Sequence, residues 1–121
     1  SVVYTDPEIA TVGPTLKELK ESGRALKVGK FPMAALGRAM TADATLGFAR
    51  VVGDAETGEV LAIHIVGAEA SELVNEAAMT LEMAAVLEDV GLTVHAHPTM
   101  SEGLMEAAKA ALGEAIHTVN R

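Results

Sequence analysis

The spacing of apolar positions changes period several times along this chain, and each change marks an element. The strongest signal is at 70–85, where Leu73, Val74, Ala77, Ala78, Leu81, Ala84 and Ala85 recur at three- and four-residue steps. That spacing predicts one continuous apolar face of a helix, with Glu72, Glu76 and Glu82 off the stripe. Before it the period is two. Phe48–Val52 and Val60–Val66 are apolar β runs, and Asp54-Ala55-Glu56-Thr57-Gly58 between them is turn chemistry, so the two predict a hairpin. In the second run Leu61, Ile63 and Ile65 point one way, and Val60, Ala62, His64 and Val66 the other. Both sets are mostly apolar, so this strand is expected at the centre of a sheet and covered on both sides.

The remaining elements are shorter. Val2-Val3-Tyr4-Thr5 is a β-rich run closed by Asp6-Pro7, and Ile9–Val12 continues the extended segment to Gly13-Pro14. Thr15 and Glu18 form a Thr-x-x-Glu capping box ahead of a short helix carrying Leu16 and Leu19, which stops at Gly23. Ala25–Phe31 reads as a strand, and Pro32–Leu46 as an irregular, small-residue-rich stretch with Arg38 its only cation. A short helix is expected at Val86–Val90. A last one is expected at Met100–Ala115, with Leu104, Ala108, Ala111, Leu112 and Ala115 inward. Strands, a hairpin and then helices predict an α+β fold in two layers, an antiparallel sheet with helices packed on it.

Composition narrows the function classes. At 121 residues the chain is one domain, 1–121, and half of it is hydrophobic. Tyr4, Phe31 and Phe48 are the only aromatics, so the core is aliphatic. The net charge of −8 argues against nucleic acid, whose phosphates call for basic patches, and allows a basic protein partner. No apolar run approaches the roughly 20 residues of a membrane span, and no secretory signal is visible. With no cysteine the chain has neither a disulfide framework nor thiol chemistry of its own. Absent Gln and scarce Asn are a weak thermophile pattern, against which six methionines weigh. The chain opens Ser1-Val2-Val3-Tyr4 without Met, which suggests a piece of something longer, or a processed or engineered chain.

Chemistry concentrates in His95-Ala96-His97-Pro98-Thr99-Met100-Ser101-Glu102. A histidine just before a helix, with a carboxylate in that helix's first turn, can be fixed in one tautomer with its second nitrogen free as a base. Thr99-x-x-Glu102 is equally a capping box, in which Glu102 would only bond backbone. His95 and His97 also form a His-x-His pair, but a metal needs a third and usually a fourth ligand, and only His64 and His117 remain, at no recognised spacing. No metal site is therefore expected. His64 reads as a buried histidine with its bonds satisfied, and His117 as solvated. The eleven glycines include no Gly-x-Gly-x-x-Gly or Walker pattern, so a self-contained nucleotide or flavin site is not expected. Ser101 beside Glu102 makes no triad.

These residues also carry a resemblance. The whole chain resembles the C-terminal interface (dimerisation) domain of the pyridine-nucleotide disulfide oxidoreductases, and within them the dihydrolipoamide dehydrogenase branch. The segments that carry it are Tyr4 to Gly13, Val28-Gly29-Lys30-Phe31-Pro32, Gly37-Arg38-Ala39, Ala62 to Gly67, and Glu72 to Ala78. The specific element is His97-Pro98-Thr99-x-x-Glu102 preceded by His95-Ala96; Met100 stands where Leu is usual.

The resemblance implies FAD- and NAD-binding domains and a redox disulfide outside this chain, with neither cofactor held by these residues alone. It implies a homodimer in which His97 of one subunit reaches the flavin and disulfide of the other. There His97 would take the proton of a dihydrolipoamide thiol, oriented by Glu102. Backbone at His97 and Pro98, joined by a cis bond, would contact the flavin. Glu82, Glu88 and Asp89 resemble an acidic surface that docks the basic peripheral-subunit-binding domain of the acyltransferase of a 2-oxo acid dehydrogenase complex. The location implied is the bacterial cytoplasm, or the mitochondrial matrix in a eukaryote. The alternatives are a non-catalytic dimerisation and docking module, or the interface domain of a glutathione- or mercuric-reductase-type enzyme.

Overall fold

The hairpin forms and gathers three more strands around it. The computed structural model describes residues 1–120. Its strands are β1 (Val2–Val3), β2 (Glu8–Val12), β3 (Leu26–Pro32), β4 (Phe48–Asp54) and β5 (Val60–Gly67). They make one sheet in the order β1-β2-β5-β4-β3, every neighbouring pair antiparallel. Asp54 closes the β4–β5 turn by accepting the amides of Glu56 at 2.8 Å and Thr57 at 3.0 Å. Those two bonds, Thr57's first, hold its carboxyl below the usual range.

The facing of β5 departs from strict alternation. A bulge shifts the register at Val52/Gly53, so that Val52 pairs with Ala62 and Gly53 with Val60. Leu61 takes up the extra residue. Val60 therefore joins Ile63 and Ile65 in the main core, and Leu61 packs with Ala62 on the other face. That reverses the sides expected for Val60 and Leu61.

Helices cover one face fully. α3 (Ala70–Glu82) lies over β2 and β5, and α5 (Glu102–Leu112) over β3 and β4, with α4 (Leu87–Leu92) against α5. The core between layers includes Phe31, Met33, Val51, Ile63, Ile65, Leu73, Leu87 and Leu104. α5 approaches β3 so closely that a Cβ at Gly29 would overlap the Ala107 carbonyl and the Ala111 amide. On the other face α1 (Leu16–Glu21) covers one end only, Leu16 and Leu19 packing on Val52, Ala62 and Leu26. Its capping box forms as expected, Thr15 N–H donating to Glu18 at 2.8 Å and Glu18 N–H to the Thr15 hydroxyl at 3.2 Å. Beside α1, His64 is buried, its Nε2 3.0 Å from the Pro14 carbonyl and its Nδ1 accepting from Arg50 Nε at 3.3 Å.

Three helix boundaries differ from expectation. The stretch 32–46 is not irregular throughout: it holds a 3-10 turn at Met33–Ala35 and α2 (Gly37–Thr41). Buried Met33, Leu36 and Ala39, three residues apart, anchor both in the core. α3 stops at Glu82, because Ala84 adopts φ 50 and Ala85 folds back to donate to the Thr80 carbonyl at 3.1 Å. The freed Ala85 carbonyl accepts the Val60 amide at 2.9 Å, so Ala85 is tied to the sheet rather than to the stripe. α5 runs from Glu102 to Leu112, ended by Gly113 at φ 76, which leaves Ala115 outside it.

Candidate active site

His97 and Glu102 meet at the start of α5. The chain turns at a cis His97–Pro98 bond; Asp6–Pro7 is the other cis bond. His97 Nδ1 lies 3.0 Å from Glu102 Oε1 and 3.3 Å from Oε2. The Thr99 amide donates to Glu102 Oε2 at 2.9 Å. The capping box expected here is half made: the Thr99 hydroxyl donates to the Ala96 carbonyl at 2.7 Å instead of accepting from the helix. Glu102 thus caps the turn and holds His97 with the same carboxylate.

Burial pushes the Glu102 carboxyl up. The Thr99 amide, His97 and the more distant His117 outweigh it, and the net shift is down. Glu102 is a carboxylate, an acceptor only, so the proton between it and His97 belongs to Nδ1. That fixes Nε2 as the lone-pair nitrogen. The His97 side chain is 75% exposed and that of Glu102 14%. The arrangement presents an oriented base at the surface, backed by an ion able to stabilise its protonated form. Gly37, at the start of α2, flanks the ring: a Cβ there would sit 4.0 Å from His97 Cε1 and 3.8 Å from Pro98 Cβ.

His95 faces elsewhere. Its Nε2 is 2.6 Å from Glu76 Oε1 on α3 and its Nδ1 2.8 Å from the Thr93 carbonyl, and its side chain is only 6% exposed. Both nitrogens point at acceptors, an arrangement that favours the protonated ring. Glu76 above all raises its proton affinity, which burial only partly opposes. With both nitrogens of His95 engaged, His95 and His97 do not act as a His-x-His pair, and among the described residues no three His, Asp or Glu side chains gather as a metal site would need. Sequence reasoning missed the His95–Glu76 pair; its one signal was Glu76 standing off the helical stripe. His117 is solvated as expected, its side chain 62% exposed, and its Nδ1 also lies 3.1 Å from Oε1 of Glu106, a carboxylate 2% exposed in the middle of α5.

Glu82, Glu88 and Asp89 are exposed at the corner where α3 ends and α4 begins. Asp89 also accepts the Val86 amide at 2.9 Å, and both α4 acids sit at the positive end of that helix. Beside them runs an open groove of about 500 Å³ lined by Glu76, Met79, Met83, Asp89, Val94 and His95. Met79, Met83 and Val94 are 62%, 70% and 94% exposed, an apolar strip that this chain alone leaves uncovered. No helix among the described residues is long and apolar enough to cross a membrane.

Comparison with known proteins agrees with the fold. Residues 1–108 match the family model described as pyridine nucleotide-disulphide oxidoreductase, dimerisation domain. The chain is 54% identical over 121 residues to a dihydrolipoyl dehydrogenase of Thermus scotoductus, and 54% identical over the same length to one of Haloferax volcanii. In each case all of this chain matches 26% of the relative, so it spans about a quarter of those proteins. Among solved structures, LpdA of Mycobacterium tuberculosis superposes with a TM-score of 0.85 at 27% identity, over 90% of this chain and 24% of that one. With its antiparallel sheet, its helical layer and a family match over most of its length, the chain belongs to the pyridine nucleotide-disulphide oxidoreductases as their dimerisation domain.

Proposed function

We propose that residues 1–121 are the interface domain of a dihydrolipoyl dehydrogenase whose active site is completed between two subunits. In that site His97 is the acid–base group and Glu102 its orienting partner. The observation that carries this is a ring with Nδ1 committed to Glu102 and Nε2 exposed, on a chain with no nucleophile or cofactor loop for it to serve. The partner subunit supplies what His97 acts upon. Nε2 takes the proton of a dihydrolipoamide thiol, since the thiolate is the reactive form. Glu102 stabilises the resulting imidazolium and keeps it aimed for the return of the proton.

In the longer protein FAD and NAD, with a redox disulfide, supply the electron transfer. This domain's residues fit a minor share in holding the flavin. The sheet is antiparallel throughout and has no glycine-rich loop, so it offers no dinucleotide cradle. What it does offer is backbone at the site: among the described residues no hydrogen bond uses the His97 or Pro98 carbonyl. The FAD- and NAD-binding domains belong to the rest of the protein. The Met79–Met83–Val94 strip seats the second copy. Glu82, Glu88 and Asp89 dock the basic binding domain of a 2-oxo acid dehydrogenase acyltransferase. The same reading puts the protein in the bacterial cytoplasm, or in the mitochondrial matrix in a eukaryote.

His97→Gln in the full-length enzyme is expected to cut lipoamide turnover by about 10²–10⁴, the usual worth of general acid–base help, with the dimer intact. A pure dimerisation module predicts an unchanged rate, and that result would remove His97 from the chemistry.

A further inference from the structure

One glycine beside His97 is not required by the backbone or by core packing. Six of the eleven glycines adopt positive φ, where other residues are strained. Of the other five, Gly29 and Gly53 lie too close to α5 and to Leu87 to carry a Cβ, and at Gly91 and Gly103 a Cβ would stand 3.4 Å from Lys109 and from Leu36. Gly37 has neither constraint. Its φ is ordinary, and a Cβ there would meet nothing nearer than Pro98 Cβ at 3.8 Å and His97 Cε1 at 4.0 Å. In the first turn of α2 a glycine also costs backbone entropy that an alanine would save. The space it leaves open is space beside the His97 ring. That space has a fixed place. Leu36, just before Gly37, is buried and packs its Cδ1 against Gly103, the residue after Glu102, so the start of α2 is set against the turn of α5 that orients His97.

We infer that Gly37 is a specificity-determining residue: by lacking a side chain it keeps one flank of His97 open to a thiol carried on an alkyl arm. The inference rests on the reading of His97 as the acid–base group. Nδ1 is taken by Glu102, so a thiol must reach Nε2, and Nε2 is bonded directly to the Cε1 that Gly37 flanks. A side chain longer than a methyl group at position 37 would lie along that edge of the ring and narrow the approach. The atoms nearest the open space are carbons of Pro98 and His97, which suit a hydrocarbon arm better than a charged one. Crowding such a space selects by substrate size, and it acts on the arm rather than on the sulfur.

The test compares two dithiols as reductants of the longer enzyme: dihydrolipoamide, and dithiothreitol, which has no such arm. The loss in kcat/KM for dihydrolipoamide is expected to grow with side-chain size, about twofold or less in Gly37→Ala and about tenfold or more in Gly37→Leu, chiefly through KM. For dithiothreitol Gly37→Leu is expected to cost about twofold or less, with flavin absorbance and sedimentation as in wild type. Gly37→Gln, of similar length, is expected to separate the two dithiols in the same way and decides the matter if the leucine variant fails to fold. Equal loss for both dithiols, or no loss for either, overturns the inference. A Gly37→Leu enzyme that sediments as a monomer also overturns it and gives the flank to the partner subunit. If His97→Gln leaves turnover intact while Gly37→Leu still separates the dithiols, the flank selects substrate and the acid–base reading is what fails.

Discussion

His95 Nε2 sits 2.6 Å from Glu76 Oε1, across 19 residues of chain, and this contact ties the loop that carries the exposed His97 to the middle of α3. A surface base needs a rigid mount, since small misplacements of a catalytic group are costly in rate. In this loop the fixed residue is His95, buried and doubly bonded, and the proposed base is His97, two residues on and open to solvent. Glu76→Gln keeps the shape but removes the charge. It is expected to cost about 1–2 kcal/mol of stability, read by urea denaturation. It is also expected to lower the midpoint of His95 in an NMR titration. An unaltered His95 midpoint would show that the pair does not act as an ion pair.

His64 and His95 titrate on opposite sides of the ordinary value of 6.5. Burial lowers His64, helped by Arg50 and opposed by its bond to Pro14, while Glu76 raises His95. The folded state therefore binds a proton at His95 more tightly than the unfolded chain does, and at His64 less tightly. The contribution of His95 is complete below 6.5 and lost as pH rises through its raised value. The cost at His64 appears as pH falls through 6.5, where the unfolded chain takes up a proton that the fold refuses. The two signs predict that His64→Gln flattens the acid side of a stability–pH curve and leaves the alkaline side alone. Thermal melts across pH 5 to 8 would measure it, and loss confined to the alkaline side would contradict the assignment.

What the sequence shows and what it hides divide by range. The helix predicted from the 70–85 stripe, the β4–β5 hairpin and the Thr15–Glu18 cap are each set by neighbours a few residues apart, and all form, the helix ending at Glu82 short of the stripe. His97–Glu102 was legible for the same reason, being local. The bulge at Val52/Gly53 was not, because alternation carries no mark of an inserted residue, and it turned Val60 and Leu61 over. α2 was missed because it is only five residues long, opens on Gly37 and has no side-chain cap to mark its start; burial of Leu36 and Ala39 against the core decides it. His95–Glu76 and His117–Glu106 join residues 19 and 11 apart, which no periodicity encodes. A hint lay in Glu106 itself, a lone acid among Leu104, Ala107 and Ala108 on the buried side of α5. A charge kept there has a partner.

The corner between α3 and α4 is acidic beside an apolar strip, and that combination leads to a salt dependence. Glu82, Glu88 and Asp89 are exposed, and none of them forms an ion pair among the described residues. Their charge is available to a basic partner, for which it would mainly speed encounter and fix orientation. Reversing all three to Lys is expected to weaken binding to a basic acyltransferase binding domain by about tenfold or more, chiefly through a slower association rate. Raising salt from 0.05 to 0.5 M, at roughly 14 and 4 Å of screening length, should weaken wild-type binding and leave the reversed variant little changed. Surface plasmon resonance at the two ionic strengths measures both effects. Asp89 also caps α4 through the Val86 amide, so Asp89→Asn serves as its structural control. Equal affinity for wild type and the reversed variant at low salt would leave these acids as a solvated face and move the docking surface elsewhere.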